Sequence, residues 1–163
     1  MEAISIDRKS FQVTDNGVLL GEIIYENIQF ITAEIKCTDS ETYQIKPNGL
    51  FQSSISLTQN DVPIASLSLS WNGKIVITFQ SGEEYVVLLN NIFSNKYILE
   101  NKNKEKLMLL ESKFNWRDFQ YRYDITYNIT DNTKPHDTLL LLLAVYSVNF
   151  FIATLSGANA GMM

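Results

Sequence analysis

Seven basic side chains, Lys96, Lys102, Lys104, Lys106, Lys113, Arg117 and Arg122, crowd into residues 94–122 against four acids, Glu100, Glu105, Glu111 and Asp118. Ammonium and guanidinium groups gathered in this way hold phosphate oxygens through charge-assisted hydrogen bonds. Lys102, Lys104 and Lys106 alternate with Asn103 and Glu105 in a polar stretch that reads as a hairpin tip. There they would meet the phosphates of an anionic membrane, each contributing about 1 kcal/mol. Lys96, Lys102, Lys104 and Lys106 are therefore the candidate lipid- or phosphate-binding residues. The same lysines also suit an exposed sheet edge, where charge blocks pairing with other chains.

Catalytic chemistry finds little support. His136 is the sole histidine and lies in a polar loop beside Pro135, so a Ser-His-Asp arrangement would depend on a residue at a surface helix entry. Seven scattered glycines form neither a phosphate-binding loop nor a dinucleotide fingerprint. Glu83-Glu84 follow Ser81-Gly82 and solvate a turn. Cys37 is the only cysteine, which excludes an intramolecular disulfide and a cysteine-based metal site. It continues the alternating row Ile31, Ala33, Ile35 and reads as a small buried residue. The expectation is a protein that is not an enzyme, with no cofactor and no metal.

The 163 residues are 45% hydrophobic and 19% charged, with a net charge of −5. That composition builds one globular core and is a poor match for duplex nucleic acid. The charge is uneven: residues 1–90 hold eleven acids and five bases, residues 91–163 seven acids and eight bases. The first residues lack the basic and apolar regions of a secretory signal, so a cytoplasmic setting is expected.

What must position these groups is a series of short strands. Ser54-Ile55-Ser56-Leu57-Thr58 and Ser66-Leu67-Ser68-Leu69 alternate apolar and hydroxyl side chains, as half-buried strands do. Phe119, Tyr121, Tyr123, Ile125, Tyr127 and Ile129 repeat the pattern at greater length. Asp15-Asn16-Gly17, Asn48-Gly49, Asn72-Gly73 and Ser81-Gly82 supply residues suited to positive φ in tight hairpins. About twelve strands are predicted between residues 3 and 129, near 3–7, 10–14, 18–25, 28–37, 42–46, 50–58, 62–70, 74–80, 84–90, 96–101, 106–112 and 117–129. No linker divides them, so a single domain spanning 1–163 is expected.

Residues 130–137 form a polar loop, and Asp137 or Thr138 can cap a following helix. Residues 138–163 carry no charge and open on five consecutive leucines, Leu139 to Leu143. A helix over 138–156 is predicted, with Gly157 as its cap and 157–163 as a short tail. Apolar on all sides, it must be hidden. One solution is a tail anchor, since Leu139–Leu155 rises about 26 Å against a hydrocarbon core of roughly 30 Å. The other is the interior of the sheet. Barrels of about eight strands hold only side chains, whereas larger cans enclose a helix. The strand count favours the second: a mainly β fold, a single antiparallel β-barrel of about twelve strands around a hydrophobic C-terminal α-helix. Tyr146, Ser147 and Asn149 would then need hydrogen bonds inside it.

Such a barrel resembles the tubby C-terminal fold and its relatives, the LURP-one-related proteins and phospholipid scramblases. The resemblance rests on Phe11-Gln-Val-Thr-Asp-Asn-Gly17, Trp71-Asn-Gly-Lys74 and Lys96-Tyr-Ile-Leu-Glu-Asn101, and on the aromatic strand leading into Leu139–Leu155. It implies that the helix threads the barrel and that the protein associates with membrane lipid headgroups. With no catalytic constellation in the sequence, the expectation is a non-catalytic binding or adaptor domain. Anionic phospholipid headgroups or a protein partner are the expected ligands, at a peripheral membrane site in the cytoplasm. The scramblases' cysteine cluster is missing, and the acids of 130–137 do not form a spaced calcium set.

Overall fold

Period-two alternation produces twelve antiparallel strands closed into a barrel, with one helix after them. The computed structural model describes residues 1–27, 30–38, 40–48, 54–70, 72–91, 95–118, 120–127 and 138–161. The strands are β1 (Glu2–Ser5), β2 (Ser10–Asp15), β3 (Val18–Tyr25), β4 (Ala33–Cys37), β5 (Thr42–Asn48) and β6 (Ser54–Gln59). They continue as β7 (Val62–Leu69), β8 (Lys74–Phe79), β9 (Glu84–Asn91), β10 (Lys96–Asn101), β11 (Lys106–Asn115) and β12 (Gln120–Tyr127), before α1 (Thr138–Gly161). Each strand pairs with its sequence neighbours, and β1 closes on β12 with Ala3 opposite Tyr123. Closure leaves no edge strand among the described residues.

The turns follow from the residues in them. Asn16 and Gly17 both take positive φ (49° and 80°), as do Asn60 and Asp61 (51° and 64°). This is the twist-matched geometry of two-residue hairpins. Pro63 sits in β7 opposite Thr58, where the ladder shifts register, so its missing donor falls at an irregularity. Asn48-Gly49 lies partly outside the described residues, because Gly49 is not among them.

Helix α1 fills the lumen. From Leu140 to Phe151 every side chain is at most 7% exposed. Their partners are the inward rows of the strands, among them Val13, Ile35 and Cys37, Ile45, Leu57, Ile77 and Leu99. The helix passes so close to β3 that a Cβ on Gly21 would lie 2.7 Å from Leu142 Cδ1 and from the Lys36 carbonyl oxygen. Nothing larger than glycine fits there without displacing backbone. Among the described residues, no helix is long and apolar enough to cross a membrane. The segment that could have been a tail anchor is the core of the barrel.

Several boundaries differ from expectation. The helix does not stop at Gly157 but runs to Gly161, since a glycine within a helix costs only about 1 kcal/mol and need not end it. Its burial, expected through 156, ends sooner: Ile152 and Ala153 are half-buried and Thr154 is exposed. Strand β11 continues to Asn115, and residues 116–118 form a turn where a strand from 117 was predicted. Strand β1 stops at Ser5, and Ile6 begins a connection. Strand β4 begins at Ala33 rather than 28, with 28 and 29 outside the described residues, as are 50–53, 119, 128 and 129 at other predicted ends.

Candidate functional site

Up-and-down topology sorts the connections onto two rims. Turns β2–β3, β4–β5, β6–β7, β8–β9 and β10–β11 share one rim with the start of α1, here the entry rim. Connections β1–β2, β3–β4, β7–β8, β9–β10 and β11–β12 share the exit rim. There α1 leaves the core, with Phe151 stacked on Tyr97 at a centroid distance of 6.0 Å.

The four candidate lysines do not form one site. Lys102 and Lys104 stand exposed on the β10–β11 turn and Lys106 opens β11, so these three share the entry rim. Asn101 organises this turn: its Oδ1 accepts from the backbone N–H of Asn103 and of Glu105, each at 3.0 Å, and its Nδ2 donates to Glu105 Oε2 at 2.6 Å. Lys96 begins β10 on the exit rim, opposite Glu111 of β11. A six-residue strand puts it about 17 Å from the tip at roughly 3.3 Å per residue. Of the remaining bases, Lys113 is hydrogen-bonded to Asp124, and Arg122 pairs with Glu2 at 2.5 Å and with Asp124 at 3.4 Å. The Lys113 ammonium beside it holds the Asp124 carboxyl below its usual range, and Asp124 in turn raises Lys113. Those cations are committed to the barrel wall.

The rims differ in charge. Among the described residues, the entry rim carries Asp15, Glu41, Asp61, Glu83, Glu84 and Glu105 around its three lysines. The exit rim carries Arg8, Lys9, Lys74, Lys96 and Arg117 against Asp7, Glu26 and Asp118. None of those five cations joins a salt bridge among the described residues.

Two stapled connections dominate the exit rim, and both escaped the sequence reading. In β11–β12, Asn115 Oδ1 accepts from the Arg117 N–H at 3.0 Å and its Nδ2 donates to Asp118 Oδ2 at 2.9 Å. This local capping presents Trp116 outward, 77% exposed, with its ring edge-on to Phe114 at 4.8 Å. In β1–β2, Asp7 Oδ1 accepts from the backbone N–H of Lys9 and Ser10 at 2.7 and 2.8 Å. Those backbone donors lower the Asp7 carboxyl's pKa, and Ile6 is left 54% exposed beside Arg8 and Lys9. The two connections are neighbours: Gln120 Nε2 donates to the Ser5 carbonyl at 2.9 Å, and the Tyr121 N–H to Ser5 Oγ at 2.9 Å. The available signal was a tryptophan set between Asn and Arg-Asp, a turn composition rather than a strand composition.

Among the described residues the interior is closely filled. The space beside Tyr146 and Phe150, lined also by Ile55, Leu67 and Ile75, is about 10 Å³, at most one water. Its polar groups are matched among themselves. Asn149 Oδ1 accepts from the Tyr123 hydroxyl, and its Nδ2 donates to Tyr25 Oη at 2.9 Å. Tyr146 donates to the Ile31 carbonyl at 2.6 Å, and Ser147 to the Leu143 carbonyl one helical turn back at 2.7 Å. An open polar depression of about 420 Å³ on the wall, beside Glu2, Thr14 and Asn16, is lined by the already paired Arg122 and Asp124. His136 lies outside the described residues. Among the described residues no cluster of three or more His, Cys, Asp or Glu could hold a metal.

Burial raises the phenol pKa of Tyr25, Tyr97, Tyr123 and Tyr146, the first and third well above the ordinary value. The fold therefore favours their neutral form. Stability from this source is intact below pH ~10 and falls above it, where the unfolded chain alone releases these protons. Each such tyrosine steepens the loss by about 1.4 kcal/mol per pH unit. A titration followed at 295 nm should show these phenols ionising only together with the loss of near-ultraviolet circular dichroism. Ionisation of all eight tyrosines near pH 10 in a still-folded protein would contradict the buried network.

No family model, no curated protein and no solved structure matches the chain.

Proposed function

We propose that this protein is a non-catalytic binding module of the tubby, LURP-one and scramblase type, acting in the cytoplasm on anionic phospholipid headgroups. The observation that carries this reading is the filled lumen. With α1 occupying the space a substrate would need, any ligand binds outside, on the charged rims and wall. The kinship is supported by the element order, twelve antiparallel strands closed around a C-terminal helix. The ligand class is supported by lysine and arginine side chains on exposed connections that join no salt bridge among the described residues. Bases near an anionic leaflet contribute about 1 kcal/mol each, so a few of them give measurable binding at low salt.

Flotation on vesicles tests it. The protein should remain at the bottom of the gradient with phosphatidylcholine alone and rise with vesicles containing phosphatidylserine or a phosphoinositide, partitioning at least about tenfold better. Added salt should release it. Equal partitioning on neutral and anionic vesicles would refute the lipid reading.

A further inference from the structure

The two rims cannot serve a bilayer equally, and their side chains indicate which one would. Entry-rim lysines are surrounded by Asp15, Asp61, Glu83 and Glu105, whose charges an anionic surface repels. Among the described residues the exit rim carries five cations that join no salt bridge, against three acids. It also holds a large aromatic side chain, Trp116, out at its tip, whereas the exposed apolar side chains of the entry rim, Val18 and Val62, are small and aliphatic. Tryptophan concentrates at membrane–water interfaces, where its flat amphipathic ring sits at headgroup level. An exposed apolar residue flanked by bases is the arrangement interfacial proteins use. A rim recognising only soluble phosphate would have no use for exposed Trp116 and Ile6, which the Asn115 and Asp7 staples hold outward.

Resting on the lipid reading above, we propose that the exit rim is the membrane-docking face, with Trp116 and Ile6 seated among the headgroups and Arg8, Lys9 and Arg117 on the phosphates. The barrel then stands end-on to the bilayer. The three entry-rim lysines point away from it. Helix α1 leaves the core toward the lipid, because Phe150 and Phe151 lie at its exit-rim end beside Leu69 and Tyr97.

Three full-length proteins decide the matter on vesicles of phosphatidylcholine with and without phosphatidylserine. The parent should float with anionic vesicles. Trp116→Ala combined with Arg8→Ser, Lys9→Ser and Arg117→Ser should lose about a hundredfold in partitioning, from roughly fivefold per base. Lys102→Ser, Lys104→Ser and Lys106→Ser together should change it less than about threefold. A second measurement leaves the rim intact: with Trp71→Phe, Trp116 is the only tryptophan. Its emission should shift to the blue and be quenched by brominated anionic lipid. Soluble glycerol phosphate should not compete. If the parent floats while the rim variant floats equally and Trp116 escapes quenching, the docking face is wrong although the lipid reading stands. If the parent floats on neither vesicle, both fall.

Discussion

A chain ending at residue 137 will not fold. Circular dichroism should show it without a cooperative thermal transition, and its amide proton spectrum should be collapsed. Helix α1 supplies nine large apolar side chains to the core: Leu140, Leu141, Leu142, Leu143, Val145, Tyr146, Val148, Phe150 and Phe151, none more than 7% exposed. At about 1.5–3 kcal/mol for each buried side chain, the loss is roughly 15–25 kcal/mol. That exceeds the whole stability of an ordinary domain, about 5–15 kcal/mol. The loss is also two-sided. Inward residues such as Val13, Ile35, Leu57, Ile77 and Leu99 share one buried core with the helix, and a barrel this wide cannot close over the gap with side chains alone. A soluble 1–137 fragment that melts cooperatively would overturn the role assigned to α1. Supplying residues 138–161 as a separate peptide should restore some structure, because the barrel seam, β1 against β12, can close after the helix arrives.

The part of this architecture legible in the sequence is the part governed by short-range rules. Period-two alternation named the inner face of the strands where it was clearest, Ile55 and Leu57 of β6, Leu67 of β7, and Tyr123 and Ile125 of β12. Cys37 proved to be buried on the row it was expected to continue. Asn16-Gly17 and Gly82 took the positive φ their composition invited. The uncharged, largely apolar 139–155 segment announced burial but could not name the medium. Counting strands favoured the barrel interior, since only a wide barrel has room for a helix.

The candidate site was less legible, for a topological reason. Charges that are neighbours along the chain, such as Lys96 and Lys102, lie on opposite rims, while Arg8 and Arg117, far apart in sequence, are brought to the same rim by the β1–β12 seam. A linear count of bases over residues 94–122 therefore sums two surfaces and two wall cations, Lys113 and Arg122, that are already ion-paired. Trp116 was obscured by its surroundings. The aromatic row from Phe119 onward suggested a strand reaching back to 117, and nothing in Lys113-Phe114-Asn115 signals that β11 extends that far. Only Asn115, closing a capped turn on Arg117 and Asp118, shows why the ring points outward.

Replacing Asn149 by leucine should cost roughly 2–6 kcal/mol, although it exchanges a polar side chain in an apolar lumen for one of similar size. The amide is the hub of the interior: it accepts from Tyr123 and donates to Tyr25, both at most 2% exposed. Leucine would strand both hydroxyls away from water, at about 1–3 kcal/mol each, and Tm should fall by on the order of 10 °C. The compensating experiment separates lost hydrogen bonding from bad packing. Adding Tyr25→Phe and Tyr123→Phe to Asn149→Leu removes the stranded groups while keeping the stacked rings of Tyr25 with Tyr146 and of Phe11 with Tyr123. The triple variant should therefore regain most of the loss, because removing every member of a buried polar set is close to neutral while removing one is not. Urea unfolding of the three proteins, parent, single and triple variant, measures both quantities. If Asn149→Leu alone lies within about 0.5 kcal/mol of the parent, the amide is incidental to the core and the helix is held by apolar contact only.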